Sequence, residues 1–457
     1  MRAPFALALV VVMRPGAAGA DPMRPTPQTN RAGEDWSVLA DPARRTEPLD
    51  SLKYISLSDN PKTYLSLGLT LRERAESTSA PLFGVANHTA DALELQRVQI
   101  HADLHLDAHW NVFVQLEDVR AFGKAAIGPS DENQVDFRQA FVMYQHPLGA
   151  GVFKARVGRQ GFLFDVQRFI SLRDGPNVQQ AFDAVWAAWD LPTWKIWAFA
   201  SMPVEYKHGR VFDDWHSFDD RLSIVRLERK LGGGVAASAY YGRYDRPSVK
   251  YVDAEGEEKR DIVDVRFVGA GRGIDWDAEG MVQGGHIANK TIRAWATGAR
   301  LGYTIHPPLS TRIGVQVDTA SGDRHAGDDS VQTFTPLFPN GYYFTLASDT
   351  GYANLIHVRP SVTQKLTRDV TAMATWGFQW RETTSDAIYL HPMTPLPMTA
   401  GHGDAWTGSY VQIRGEAKFG PRVLVSAELV HYQAGAAIRA AGGGNTDYAA
   451  VETKLSF

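Results

Sequence analysis

The chain has 457 residues, 44% hydrophobic and 21% charged, with no cysteine and a formal net charge of -4 at pH 7. That much apolar material excludes a disordered chain, and the absence of thiols excludes a disulfide-stapled scaffold. A nearly balanced charge gives no global field to gather nucleic acid, so a polyanionic partner needs a local basic surface.

In chain order, Met1-Arg2, the apolar run Ala3 to Met13 and the small-residue site Ala18-Gly19-Ala20 follow the grammar of a secretory signal. Residues 1–20 are therefore expected to be a signal peptide. Residues 21–60, punctuated by Pro22, Pro25, Pro27, Pro42 and Pro48, read as a periplasmic leader, either ordered on contact or extended, and not as a strand region. From residue 61 to 457 the hydrophobic period is two. Leu65, Leu67, Leu69 and Leu71 alternate with Ser66, Gly68, Thr70 and Arg72, and Val98, Ile100, Ala102 and Leu104 alternate with Arg97, Gln99, His101 and Asp103. The pattern returns weakly at Val112 to Glu117, Phe153 to Gln160, Asp264 to Val268, Trp276 to Gln283, Arg293 to Thr304 and Arg312 to Asp318, and strongly at Val370 to Trp380 and Val411 to Phe419. Such alternation places one chemistry on each face of a strand.

The chain is therefore all-β, and strand length and chemistry select its solvent. Several runs reach the roughly 9–11 residues that a tilted strand needs to cross a bilayer. Trp376 and Trp380 sit where an aromatic girdle belongs, and full charges on the opposite face require water there. Asp107 to Asn111 is a short turn, whereas Ser77 to Ala90, Val204 to Asp220, Arg246 to Arg260, Ser321 to Asp349 and Thr383 to Ala405 read as long loops. Short turns on one side and long loops on the other predict a transmembrane antiparallel β-barrel of about 18 strands (16 to 18) around a water-filled lumen. The last strand, Tyr448 to Phe457, finishes in a terminal Phe and so resembles the signal that outer-membrane assembly machinery reads.

Several segments resemble the alginate-export family of outer-membrane β-barrels. They are Glu34-Asp35-Trp36-Ser37 with Tyr64 to Gly68 and Leu71 to Arg74; Gly158-Arg159-Gln160 with Arg168, Arg173, Asn177 and Phe182-Asp183; Asp277, Glu279 and Gln283-Gly284; and Asp318, Ala320 to Asp323, Thr333 to Pro339 and Asn354-Leu355. The resemblance implies a monomeric outer-membrane channel whose electropositive constriction passes an acidic polysaccharide, with periplasmic secretion partners. Gly175-Pro176, where members often carry an aromatic residue, and Ala184, where glycine is common, set the chain apart from the close alginate exporter.

Arginine suits such a cargo, because its planar fork binds carboxylates bidentately and stays charged. The candidate pore residues are Arg72, Arg74, Arg97, Arg138, Arg156, Arg159, Arg168, Arg173, Arg300, Arg312, Arg381 and Arg414. Asp103, Glu117, Asp136, Asp277, Glu279, Asp318 and Glu416 are expected to pair with and orient them. Arg168 and Arg173 stand out, lying between strand patterns in a stretch able to fold inward as a constriction loop. An uptake porin for small anions or sugars is the alternative. No G-x-S-x-G, P-loop or H-E-x-x-H motif supports an enzyme, and no cofactor or resident metal is expected. His101 and His105 lie about 13 Å apart along a strand, too far to share an ion. The run Ser321 to Asp329 offers loop carboxylates to Ca²⁺ without the spacing of a known loop.

Overall fold

The computed structural model describes residues 24–87, 90–124, 127–305 and 310–457; the signal-peptide assignment lies outside the described residues. One sheet of 21 strands dominates, and three of these are two-residue ladders: Ile55–Ser56, Trp215–His216 and Ser330–Val331. The other eighteen close into a barrel. They are β1 Tyr64–Thr78, β2 Asp91–His105, β3 Trp110–Phe122, β4 Asn133–Leu148, β5 Gly151–Gln160 and β6 Phe182–Asp190. Next come β7 Trp194–Glu205, β8 Arg221–Gly232, β9 Val235–Lys250, β10 Glu255–Gly271, β11 Ile274–Ile287 and β12 Lys290–Ile305. The ring ends with β13 Thr311–Ala320, β14 Leu355–Lys365, β15 Val370–Trp380, β16 Trp406–Phe419, β17 Val423–Ala434 and β18 Thr446–Ser456. Each pairs antiparallel with its neighbour, and β1 closes on β18 from Thr70↔Ser456 to Thr78↔Tyr448.

The alternation read from sequence sets the two faces. In β1, Ser66, Thr70, Arg72 and Arg74 are buried inward, and in β2 so are Arg97, Gln99, His101 and Asp103. Outward positions stay exposed and apolar, as Ile100, Val157, Val185, Val225, Val282, Val315, Ile413 and Leu429 illustrate. Trp110, Trp189, Trp194, Tyr303 and Phe419 ring the short-turn rim, and Trp380 meets Trp406 at 4.9 Å with their planes tilted by 56° at the long-loop rim. These are the aromatic belts of a bilayer-crossing barrel.

Two expectations need correction. Arg246 to Arg260 is not a long loop: β9 and β10 continue through it to a turn at 251–254, because Arg246 and Arg260 reach Glu258 on the inner face and hold the strands together. Nor is the lumen an open tunnel. Loop 161–181 (between β5 and β6) and loop 321–354 (between β13 and β14) fold inside, joined by the parallel bridge Ile170↔Phe338. Their Phe162, Phe164, Phe169, Phe334, Phe338 and Tyr352 pack on Phe199, Leu222, Ile224, Tyr240 and Ile262 of the wall. An apolar inner wall over β7–β10 needs an apolar cover, and the loops supply it.

The leader seals part of the short-turn mouth. Arg31 pairs with Glu34, donates to Thr70 Oγ1 at 3.1 Å and to the Phe457 carbonyl at 2.7 Å. The helix Asp50–Lys53 turns Lys53 inward, where its Nζ lies over the rings of Trp36 (5.2 Å) and Phe457 (5.3 Å) without a hydrogen-bond acceptor. Burial, aided by the nearby Arg31 cation and opposed by Glu34, pushes the Lys53 amine down to about 7 from its ordinary 10.5. A released leader regains the ordinary value. Docking therefore strengthens as pH rises from about 7 towards 10.5 and is insensitive to Lys53 below that window. A nitroxide at Asp41→Cys, in a chain with no other cysteine, should become less mobile across that range; Lys53→Met should flatten the profile.

Candidate functional site

Loop 161–181 crosses the lumen, since its side chains and carbonyls reach strands on opposite sides of the ring. On the far side Arg168, with its side chain fully enclosed, pairs with Asp277 (3.2 Å) and Glu279 on β11 and Asp318 (3.5 Å) on β13, and donates to Tyr343 Oη at 2.7 Å. Gly298 on β12 makes this possible, because a Cβ there would collide with Arg168 Nε and the Asp318 carboxylate. Asp165 of the same loop receives Arg226 from β8 (2.6 Å) and Arg266 from β10 (2.8 Å). Asp165, Gln167 and Arg173 all adopt left-handed backbone, with φ of 52°, 62° and 52°. Three such non-glycine residues in one loop persist only where surrounding contacts fix them.

The near side is held differently. Arg97 of β2 donates to the carbonyls of Asn177 (2.7 Å), Pro176 (2.9 Å) and Asp174 (3.2 Å), and to the Asp174 carboxylate at 2.6 Å. Arg138 of β4 reaches the Gln180 carbonyl and Gln179 Oε1. Arg72 of β1 pairs with Glu452 at 2.7 Å and touches the carbonyls of Asp174 and Gly175. Burial would raise Asp174, but Lys454, Arg97 and Arg72 outweigh it and hold its carboxyl well below the usual range.

The remaining candidates divide by partner. Arg74 binds Glu428, Glu452 and Tyr448; Arg159 binds Asp183 and Asp136; Arg312 binds Asp275; Arg414 binds Glu416 and Glu428. Arg300 donates to Gln316 and lies over Tyr343. Asp103 accepts from Asn111 and bonds His105, and Glu117 accepts from Gln99. Only two of the twelve arginines have a guanidinium without hydrogen bond or ion pair among the described residues: Arg156, lying over Trp186 at 4.5 Å, and Arg173. Arg156 faces a cavity of about 220 Å³ beneath the loop, walled by Trp186, Trp197, Phe162 and Phe164.

Two sequence candidates stand elsewhere than expected. Arg381 is not on the pore wall: β15 ends at Trp380, and the buried guanidinium gathers the carbonyls of Asp404, Thr384, Asp386, Thr399 and His402, stapling loop 381–405. Arg168 is an enclosed anchor in this conformation, because three carboxylates surround it. The reading missed the inward Arg226, Arg260, Arg266 and Arg359 and the loop partner Asp165. Arg359 stands three residues after Ile356 in a run interrupted by Pro360, and Arg226 shares its face with Leu222 and Ile224, which disguised that face as lipid-directed.

Removing Arg168 leaves Asp277, Glu279 and Asp318 facing one another without their shared cation. Breaking such a buried pair costs about 3–5 kcal/mol, and it takes from the loop its one attachment to β11 and β13, leaving the Asp165 pairs and the aromatic packing on the far side. Arg168→Ala should release loop 161–181 and raise single-channel conductance while the eighteen-strand barrel stays heat-modifiable on gels; unchanged conductance would remove the anchor role.

The alginate export family model matches residues 63–452. No curated protein matches the chain in sequence. Among solved structures, the outer-membrane protein OpdK of Pseudomonas aeruginosa superposes with a TM-score of 0.57 at 9% identity, over 86% of this chain and 98% of that one. OccK2 (OpdF) of the same organism, in complex with glucuronate, gives 0.57 at 9% over 88% and 99%, and OpdO gives 0.56 at 10% over 86% and 97%. These likenesses match the barrel fold. With the family model spanning the barrel from β1 to β18, the chain belongs to the alginate export family of outer-membrane channels.

Proposed function

We propose that this outer-membrane channel passes acidic saccharides bearing uronate carboxylates, and that loop 161–181 is its gate. One observation carries the reading: Arg97 and Arg138, on two wall strands, rest largely on backbone carbonyls of residues 174–180, and Arg72 on a third, paired with Glu452, turns its remaining nitrogens to two more. Those carbonyls occupy the positions that carboxylate oxygens of a passing polyanion would take. When the loop withdraws, these guanidiniums become available together, and with Arg156 of β5 they form a series of cationic contacts along the lumen. Each contact is charge-assisted and bidentate, yet single and exchangeable, which is the balance conduction requires. Family membership and the glucuronate bound to the similar OccK2 barrel support this substrate class.

Uptake of small anionic solutes is the second reading, and the cavity at Arg156 favours it. Its volume of about 220 Å³ equals that of roughly seven waters, room for a monomeric solute held between a cation and aromatic faces.

Planar-bilayer recording separates the two. Anion selectivity with current block by uronate oligomers is expected for export of a chain, and block by monomeric uronates alone for uptake; cation selectivity overturns both. Arg97→Gln should weaken the block about tenfold or more, the loss of one hydrogen bond to a charged group being worth about 1.5–3 kcal/mol.

A further inference from the structure

A second cluster of oxygens lies outside the lumen gate, on the long-loop side. Asp136, near the start of β4, and Asp213 and Asp214, in the loop joining β7 to β8, each offer a carboxylate oxygen, and the three atoms lie within 4.8 Å of one another. Asp136 and Asp214 are buried and Asp213 is half-buried. The Asp214 amide donates to Asp136 Oδ2 at 3.0 Å, and the Phe212 amide to the Val135 carbonyl at 3.0 Å, so the backbone already fixes the loop against the strand.

Two features show that the cluster lacks a partner. Arg159 is the one cation paired with these carboxylates among the described residues; it stands 3.5 Å from Asp136 and is bound through two nitrogens to Asp183 (2.9 and 3.1 Å). Three carboxylates thus share less than one positive charge. Independently, Asn133, 4% exposed, donates through Nδ2 to Asp214 Oδ2 at 2.5 Å, while its buried Oδ1 has no partner. The two heteroatoms of an amide are about 2.2 Å apart, so this bare oxygen lies beside the same carboxylate. Asp213 Oδ1 is likewise buried and unpartnered. Native proteins rarely leave such atoms bare, and a bound ion is one of the ordinary explanations.

We propose that Asp136, Asp213, Asp214 and Asn133 form a Ca²⁺ site that ties the β7–β8 loop to the head of β4. The donors are all oxygen, mixing carboxylates with an amide, which favours a hard cation; their irregular disposition suits the flexible coordination of Ca²⁺ better than the octahedron of Mg²⁺. His216, the nearest imidazole in sequence, is bound through Nδ1 to Asp183 at 2.6 Å and is not among the groups whose ligand atoms converge within 4.8 Å. The outer face of the barrel meets extracellular calcium, where even affinities of about 0.1–1 mM keep a site filled. The site lies apart from Ser321 to Asp329, the acidic run that sequence first suggested.

The test uses the whole chain refolded into detergent free of lipopolysaccharide and stripped with chelator. Calorimetric titration with CaCl₂ should give one ion per chain, and Tb³⁺ bound in its place should show luminescence sensitised by Trp215, which adjoins Asp214. Asp213→Asn and Asn133→Leu, neither of which touches Arg159, should each weaken Ca²⁺ binding about tenfold while the barrel keeps its strand content and heat-modifiability. Trp215→Phe should remove the sensitised emission and leave the calorimetric affinity unchanged. No uptake by the wild-type chain at about 5 mM Ca²⁺, well above the extracellular range, overturns the site. So does equal binding by the wild-type chain and both ligand variants, or MgCl₂ titrating as tightly as CaCl₂.

Discussion

In hydrocarbon a backbone N–H or C=O without a partner costs several kcal/mol, and no water is there to supply one. The rest of this structure follows from that constraint. Eighteen strands satisfy it only by closing, β1 onto β18, so that no edge faces lipid. Closure fixes the side-chain arithmetic. With a period of two, half of every strand points to lipid and must be apolar, while the other half points inward, where nothing requires it to be.

That freedom brings an obligation of its own. Arg74, Arg168 and Arg260 have almost no exposed surface, and a buried charge is tolerable only with partners in good geometry. Wall carboxylates supply some of these, but the two inward loops supply the rest. Loop 161–181 carries Arg168 to the acids of β11 and β13 and Asp165 to the arginines of β8 and β10, and offers its carbonyls to the arginines of β1, β2 and β4. The loop is therefore built to complement a wall whose chemistry changes around the ring, acids on β11 and β13, aromatics with the arginines of β8 and β10, and arginines on β1, β2 and β4. Its left-handed residues at 165, 167 and 173 are the local strain that this double fit imposes.

What the sequence disclosed and what it hid follow the same division. Strands whose inward face is polar, such as β1, β2, β15 and β16, were legible, because alternation of Leu with Arg, Gln and Asp has a single interpretation once the outward face meets lipid. Strands β7 to β9 were not. Trp197, Phe199, Leu222, Ile224, Tyr240 and Tyr244 face inward against the aromatic loops, so both faces are apolar and the period loses its contrast. The arginines on those strands went unread for that reason. The acids that pair with Arg168 were named, since Asp277, Glu279 and Asp318 fall on polar faces. That they converge on one guanidinium is a tertiary fact, set by loop 161–181 crossing the lumen and by the missing side chain of Gly298, and neither leaves a mark in local spacing.

On the reading proposed for it, loop 161–181 is a gate, and its two attachments are unequal. On the far side it is held by ion pairs in which both partners are formally charged and enclosed, so that releasing one strands a buried charge. On the near side most contacts are guanidinium to neutral carbonyl, with Asp174 the one carboxylate from the loop. A loop fastened in this way yields first where its fastenings are weaker, turning about Arg168. The strands uncovered first are then β1, β2 and β4, which present Arg72, Arg97 and Arg138, while Asp277, Glu279 and Asp318 stay capped by Arg168. On that same proposal, an opening of this kind offers cations to the solute and keeps the acids hidden, so a chain with a formal net charge of -4 can still present a positive path to an anion.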